Sequence, residues 1–386
     1  MINLKKICLF LFLVSILLFN TTRVFAIDTD LTPNATSAIM IEASTGEIIY
    51  QKNVNEKRPP ASMTKMMSML LIMEALDKGT ITLEEEVTAS AYASSMGGSQ
   101  IFLTAGEKMI VQDLLKGIAI GSGNDATVAM AERIAGSEEA FVKMMNDKAN
   151  ELGLKNTNFK NSTGLDAENH YSTAYDMAMI AKELVKHEKI LEFTGTYEEY
   201  LRKDSDSPFW LVNTNKLVRF YTGVDGLKTG YTSDAGYCLT STAKKDDMRL
   251  ITVVMNEPTS QIRNSETTTL LDYGFNTYSI DKVIDKDTIL DKVKVQLGEV
   301  EQVEIVPMDE VNILNDKTKE KREVTYNIKV NSISAPVKSG DEVGEIEIIE
   351  NNKVINKVKL TVKYDVDKAN ILIAYYRNLK NILNGF

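Results

Sequence analysis

The stretch from Met63 to Asp77 is rich in methionine and leucine and holds no proline or glycine. It predicts a buried helix, and such a helix has to be covered by other elements of its domain. Pro59 and Pro60 stop regular structure just before it, so Ser62 falls at the helix N-terminus. Backbone amides and the macrodipole favour developing negative charge there. Lys65 stands three residues on, one turn along the same face. A neutral amine at that point can take the hydroxyl proton and leave the serine a nucleophile, the first part of an S-x-x-K acyl-transfer site. The spacing recurs at Ser241 to Lys244 and Ser279 to Lys282. The first reads as the end of a strand and the second as a loop leaving the first domain, so neither has the helix-start setting.

The ends of the chain belong to other tasks. Lys5 and Lys6, the apolar run from Ile7 to Phe19, and Val24-Phe25-Ala26 form a secretory signal peptide over residues 1–26. The alternative is an uncleaved membrane anchor, but the apolar run is shorter than the roughly 20 residues a spanning helix needs. Cys8 sits too early in that run for a lipoprotein anchor. Cleavage after Ala26 removes three cations and no acids, which takes the formal net charge from -10 to -13. So acidic a mature chain argues against nucleic-acid binding. Only Cys238 remains, so no internal disulfide framework exists. His170 and His187 lie too far apart for a helical metal pair, and no metal or other cofactor is expected.

Between the ends the pattern changes twice. Ser37 to Glu42 and Glu47 to Gln51 read as a hairpin around the turn Ala43 to Gly46. Val111 to Ile120 reads as an apolar helix running into Gly121-Ser122-Gly123-Asn124, a tight glycine-flanked turn. Ser172 is placed as the cap of a helix from Ala174 to His187. Val224 to Glu257 reads as three successive strands with short turns, hence an antiparallel sheet, and Arg263 to Tyr273 returns to helix. The chain thus divides into a catalytic domain over 27–284 and a small β-domain over 285–365, where period-two strands suggest a sandwich. In the tail, residues 366–386, Leu372, Tyr375, Tyr376, Leu379, Ile382, Leu383 and Phe386 share one side of a helix. That helix reads as interfacial and amphipathic, with docking on the β-domain as the alternative.

Three short motifs now stand in order: Ser62-Met63-Thr64-Lys65, Ser122-Gly123-Asn124 and Lys228-Thr229-Gly230. The set resembles the penicillin-recognising serine enzymes. With S-G-N in place of S-D-N, the chain is similar to the low-molecular-mass penicillin-binding proteins, the serine D-alanyl-D-alanine carboxypeptidases of peptidase family S11. Pro60-Ala61-Ser62-Met63-Thr64-Lys65, Gly164-Leu165-Asp166, Lys228-Thr229-Gly230-Tyr231-Thr232 and Ala235-Gly236-Tyr237 carry the same resemblance. It extends through the β-domain and the tail.

The resemblance implies an α+β fold: a penicillin-binding-protein/β-lactamase-like domain, its antiparallel sheet flanked by helices, then a small all-β domain and an amphipathic helix. It implies that Ser62 attacks the carbonyl between two D-alanines of a peptidoglycan pentapeptide stem, with β-lactams as inhibitors. Lys65 would be the general base, its pKa lowered from about 10.4 by burial and by the nearby cation Lys228. Ser122 would relay a proton to the leaving nitrogen. Asn124 would hold Lys65 and bond the substrate amide. Lys228, Thr229 and Gly230 would form an edge for an extended peptide. The amides of Ser62 and Tyr231 would form the oxyanion hole. Arg263 occupies the family's position for a carboxylate-binding arginine, and its planar fork suits that task; the alternative is a surface arginine capping a helix. Cys238 reads as a packed small residue and His170 as structural. The enzyme would work at the outer face of the cell membrane and in the cell wall, held at the membrane surface by its tail. Two other readings stay open: a β-lactamase-like hydrolase, for which Glu168 is the only nearby glutamate, and a non-catalytic wall-binding protein.

Overall fold

Strand β1 (Ser37–Glu42) is buried along its whole length, and its two faces show why. Ile39 and Ile41 point into one apolar core, Ala38 and Met40 into another, as the two-residue period of a strand requires. A strand buried on both faces sits inside a layered structure. The computed structural model describes residues 30–373, 375 and 377; the expected signal peptide and most of the amphipathic tail lie outside the described residues. Around β1 runs a five-stranded antiparallel sheet in the order β2-β1-β9-β8-β7, with β2 (Ile48–Lys52), β7 (Val224–Thr232), β8 (Gly236–Lys245) and β9 (Met248–Glu257). Two small ribbons, β3 (Glu86–Thr88) with β4 (Lys108–Ile110) and β5 (Glu198–Leu201) with β6 (Phe209–Val212), complete the strands of this part.

One face of the sheet carries the helical layer. Its centre is α1 (Lys65–Asp77), in which Met66, Met67, Met69, Leu70, Ile72 and Met73 are all buried. Around it stand α2 (Ala91–Ser94), α3 (Val111–Ala119), α4 (Asn124–Ala135), α5 (Glu138–Glu151), α6 (Ala174–Leu184) and α7 (Lys189–Thr194), while α8 (Leu217–Phe220) packs through Leu217 into the core on the opposite face. The other face is covered by α9 (Ser260–Thr277), whose Leu270 and Leu271 pack on Met40 and Leu250. Thr173, not Ser172, caps α6: its hydroxyl accepts from the Asp176 amide at 3.1 Å. Ser172 is instead buried against the Thr157 hydroxyl.

After α9 the chain turns into strands as far as Val362. β10 (Tyr278–Ile284) pairs with β13 (Val311–Asp316). A six-stranded sheet runs β14-β16-β17-β12-β11-β15, with β11 (Asp291–Gln296), β12 (Gln302–Pro307), β14 (Thr325–Val330), β15 (Ile333–Ser334), β16 (Gly344–Glu350) and β17 (Lys353–Val362). Ile284 and Val311 of the ribbon share one core with Ile305, Ile346 and Leu360 of the sheet, so the unit is layered. Ser279 to Lys282 lies in β10 and not in a loop. Its strand partner comes some thirty residues later, beyond the reach of a local pattern.

Candidate active site

Four segments converge on Ser62. The first is its own. Ala61–Thr64 is a turn of 3₁₀ helix and the α-helix proper starts at Lys65. Ala61 adopts φ +46°, in the left-handed region, which swings the chain sharply between Pro60 and Ser62. The Lys65 ammonium donates to Ser62 Oγ at 3.1 Å and to the Thr163 carbonyl at 2.7 Å. Lys65 is fully buried. Burial first, then the charge of Lys228, push its pKa well below the ordinary lysine value, while Asp125 opposes them.

The second segment supplies that carbonyl. Asn161 Oδ1 accepts from the Thr163 and Gly164 amides at 3.2 and 2.7 Å, which folds the loop onto the Ser62 turn. Gly164, at φ +86°, lies so close that a Cβ would sit 1.8 Å from the Ala61 carbonyl oxygen. Only glycine fits there. His170, from the same loop, accepts at Nδ1 from the Lys160 amide, so its proton sits on Nε2 and is donated to Thr64 Oγ1 at 2.8 Å. Burial drives its pKa down to about 4. It is a neutral brace for the turn, as the sequence suggests. Glu168 is exposed and lines a 340 Å³ cavity beside this loop, together with Ala61, Gly164 and His170.

The third segment is the glycine-flanked turn. Ser122 is 3% exposed at φ +64°, again left-handed. Asn124 opens α4, and its Nδ2 donates to the Gly97 carbonyl at 2.7 Å. Lys65 takes Thr163 as its carbonyl partner, so the expectation that Asn124 holds Lys65 gives way. The Asn124 amide is committed to Gly97, and its buried Oδ1 has no partner among the described residues. That oxygen stands ready for an incoming N–H. Asp125 pins the turn to its neighbour by accepting from the Ile101 and Leu103 amides at 3.0 and 2.9 Å.

The fourth segment is β7 with the start of α9 behind it. Lys228 is 1% exposed, and burial first, then the Arg263 charge, lower its pKa to about 7. Its ammonium donates to the Thr229 carbonyl at 3.2 Å. Thr229 Oγ1 donates to Thr214 Oγ1 at 2.7 Å. A Cβ on Gly230 would lie 2.7 Å from the Pro60 carbonyl oxygen and 3.3 Å from the Met63 amide, so β7 runs hard against the Ser62 turn. Tyr231 is exposed, its ring 4.4 Å from that of Tyr237. Arg263 is 5% exposed, which sets aside the surface-cap alternative. Its Nε and Nη2 both donate to Asn264 Oδ1, at 3.1 and 2.9 Å, and no carboxylate among the described residues pairs with it.

The site is therefore a slot with three buried cations, Lys65, Lys228 and Arg263. It can bind an anion, hold an amine partly neutral and direct that amine at a hydroxyl. The rival serines do not share it: Ser241 Oγ donates to the Gly226 carbonyl at 3.1 Å, inside the sheet. Cys238 is fully buried, and burial raises its thiol to about 11, so it packs and does not react. Sequence reasoning missed Asp125, Asn161, Thr163 and Thr214. Asp125 directly follows the Ser122-Gly123-Asn124 motif and could have been found by position. Thr163 contributes a backbone carbonyl, which leaves no trace in side-chain pattern.

Comparison with known proteins points the same way. A family model described as D-alanyl-D-alanine carboxypeptidase matches residues 24–259, and one described as the penicillin-binding protein 5 C-terminal domain matches residues 278–368. The chain is 51% identical over 351 residues to the D-alanyl-D-alanine carboxypeptidase DacF of Bacillus subtilis, covering 91% of this chain and 90% of that protein. Penicillin-binding protein 5 of Haemophilus influenzae superposes with a TM-score of 0.69 at 32% identity, over 87% of this chain and 98% of that one. The ampicillin-bound form of penicillin-binding protein D2 from Listeria monocytogenes superposes with a TM-score of 0.57 at 30% identity, over 63% of this chain and 98% of that one.

Proposed function

The chain belongs to the D-alanyl-D-alanine carboxypeptidase family, and from that premise we propose that Ser62 is its acyl-ester nucleophile, Lys65 the general base and Ser122 the proton relay. The reaction is the serine carboxypeptidase cleavage of a terminal D-alanine from a D-alanyl-D-alanine stem of peptidoglycan. Ser62 Oγ bonds to the carbonyl carbon of the penultimate D-alanine while its proton passes to Lys65 Nζ. The oxyanion so formed is met by the Ser62 and Tyr231 amides, each worth up to a few kcal/mol. The C–N bond then breaks, the leaving nitrogen takes the proton from Lys65 through Ser122, and D-alanine departs. Water attacks the acyl ester by the reverse proton route and frees Ser62. Lys228, Thr229 and Gly230 hold the extended peptide, Asn124 Oδ1 accepts its amide N–H, and Arg263 grips its terminal carboxylate.

The observation that carries this reading is the 3.1 Å bond to Ser62 Oγ from Lys65, which is fully buried and has no ion-pair partner among the described residues. Incubation with benzylpenicillin and with a D-alanyl-D-alanine-terminated peptide tests it. Mass spectrometry should find the penicilloyl adduct on Ser62, free D-alanine should be released, and Ser62→Ala should lose both. Rapid penicillin turnover without D-alanine release would overturn it in favour of a β-lactamase. The ampicillin-bound Listeria neighbour supports the choice of probe.

The same reading assigns residues 1–26 to export, 27–284 to catalysis, 285–365 to the β-domain and 366–386 to a membrane-surface helix, so that the enzyme works at the outer face of the membrane. No helix among the described residues is long and apolar enough to cross a membrane. Deleting residues 367–386 should move the protein from the membrane fraction to the soluble one with D-alanine release unchanged. Continued membrane association would sink the anchor assignment.

A further inference from the structure

A second cavity, about 350 Å³, opens between the catalytic unit and the β-unit, on elements none of which carries an active-site residue. The catalytic unit lines it with the turn after β1, the last turn of α6 with Lys182, the end of β8 with Lys244, the β8–β9 turn with Asp247 and the start of β9 with Arg249. The β12–β13 turn with Asp309, Asn312 of β13 and part of β17 line the other side.

Most charges around it are already spent. Arg249 chelates Asp225 through Nη1 and Nη2, both at 2.8 Å. Lys357 bridges Glu345 and Glu347, and Lys359 pairs with Glu342. Glu42, the carboxylate beside Lys182, is turned to the Thr45 amide and hydroxyl at 2.7 and 2.9 Å. Lys182 and Lys244, by contrast, have no carboxylate within ion-pair distance among the described residues. Lys182 lies against the backbone of the turn: a Cβ on Gly46 would sit 2.6 Å from its Nζ. Asn312 is 6% exposed, and its Oδ1 has no hydrogen-bond partner among the described residues. A buried amide oxygen left without a donor is costly, and native structures keep few of them.

These uncommitted groups define a ligand. Two ammoniums call for an anion. The orphaned Asn312 oxygen and the unpaired Asp247 and Asp309 carboxylates call for O–H or N–H donors around it. A cavity of this volume holds a unit of monosaccharide size. The geometry points to a binding site for a hydroxyl-rich cell-wall unit bearing one carboxylate or phosphate, its anion between Lys182 and Lys244 and a hydroxyl or amide N–H donated to Asn312 Oδ1. Such a site would seat the enzyme on the cell wall away from Ser62, through a unit whose anion is free and not amide-linked to a stem.

Titration calorimetry of the mature enzyme tests this with N-acetylmuramic acid and glycerol 1-phosphate, against neutral N-acetylglucosamine and inorganic phosphate. One acidic probe should saturate one site and N-acetylglucosamine should not. Saturation by N-acetylmuramic acid identifies a glycan-strand source whose lactyl carboxylate is free of a stem peptide; saturation by glycerol 1-phosphate identifies a polyol-phosphate polymer. Lys182→Met should weaken the acidic probe roughly tenfold or more. Asn312→Leu should weaken it while leaving inorganic phosphate unaffected. Should Lys182→Met melt early, Lys244→Met, at an exposed position, carries the same expectation. Penicillin acylation of Ser62 should be unchanged in every variant, so failure here is separable from failure of the catalytic assignment. The inference is overturned if neither acidic probe saturates, if inorganic phosphate binds as tightly as both, or if the variants bind as the wild type does.

Discussion

Two lysines buried side by side explain how an amine can act as a base near neutral pH. Each ammonium is penalised by burial, and a neighbouring cation adds to the cost, Lys228 acting on Lys65 and Arg263 on Lys228. Lys228 falls to about 7 and Lys65 well below the ordinary lysine value. Their protons therefore leave in steps that belong to the pair. The acylation rate with benzylpenicillin should rise with pH at values well below the ordinary lysine pKa, because neutral Lys65 is the reactive form. Lys228→Gln removes one charge, so the ascending limb should shift to higher pH; an unmoved limb would show that the two do not interact. Stability gives a second readout. Between about 7 and the unfolded value near 10.4, the unfolded chain binds a proton at Lys228 that the folded chain does not. Wild-type stability therefore rises with pH across that window, and the penalty is largest below 7. Lys228→Gln should be the more stable protein at pH 6, with an advantage that shrinks toward pH 10. Chemical denaturation at the two pH values measures it.

At the scale of elements, the site depends on β7 touching the catalytic turn. Gly230 is where they meet, 2.7 Å from the Pro60 carbonyl oxygen as measured to a built Cβ. Gly230→Ala must push the strand away by several tenths of an ångström. That separates the Ser62 and Tyr231 amides and misplaces the peptide edge together. Acylation should slow by about a hundredfold with a small change in melting temperature. A labelling rate equal to wild type would mean the two amides do not act together. Much of this arrangement is legible in local sequence. The methionine- and leucine-rich α1, the two-faced β1 and the β7–β9 run are each written as apolar stretches without a proline inside an element, so their burial follows from composition. The left-handed Ala61 and Ser122 are not legible, since nothing in a non-glycine residue announces a positive φ. The strand character of Ser279 to Lys282, the cap at Thr173 and the Thr163 carbonyl under Lys65 all depend on partners distant in sequence or on backbone atoms. Motif order identifies which groups meet; tertiary contacts decide how.

For the whole molecule, the question is what couples the two units across the cavity between them. Leu314 of β13 inserts into the core shared by the sheet and α9. Next to it, Arg322 reaches from the β-unit to both oxygens of Glu47 in the catalytic unit, at 2.8 and 2.7 Å. The same guanidinium holds Glu350 at 2.8 and 3.0 Å and the Leu314 carbonyl at 2.9 Å. One planar fork thus neutralises two carboxylates from different units, a task lysine geometry suits poorly. Arg322→Gln leaves Glu47 and Glu350 facing each other without the cation. The group is partly buried, so the loss should be about 1–3 kcal/mol and not the larger figure for a fully buried pair. Calorimetry should show the wild-type transition separating into two, with the β-unit melting apart from the catalytic one. D-alanine release from a soluble peptide should hold, because every residue assigned to the reaction lies between 62 and 263. A single, unshifted transition in Arg322→Gln would place the coupling in Leu314 and its apolar neighbours alone. Leu314→Ala would then be the variant that divides the molecule.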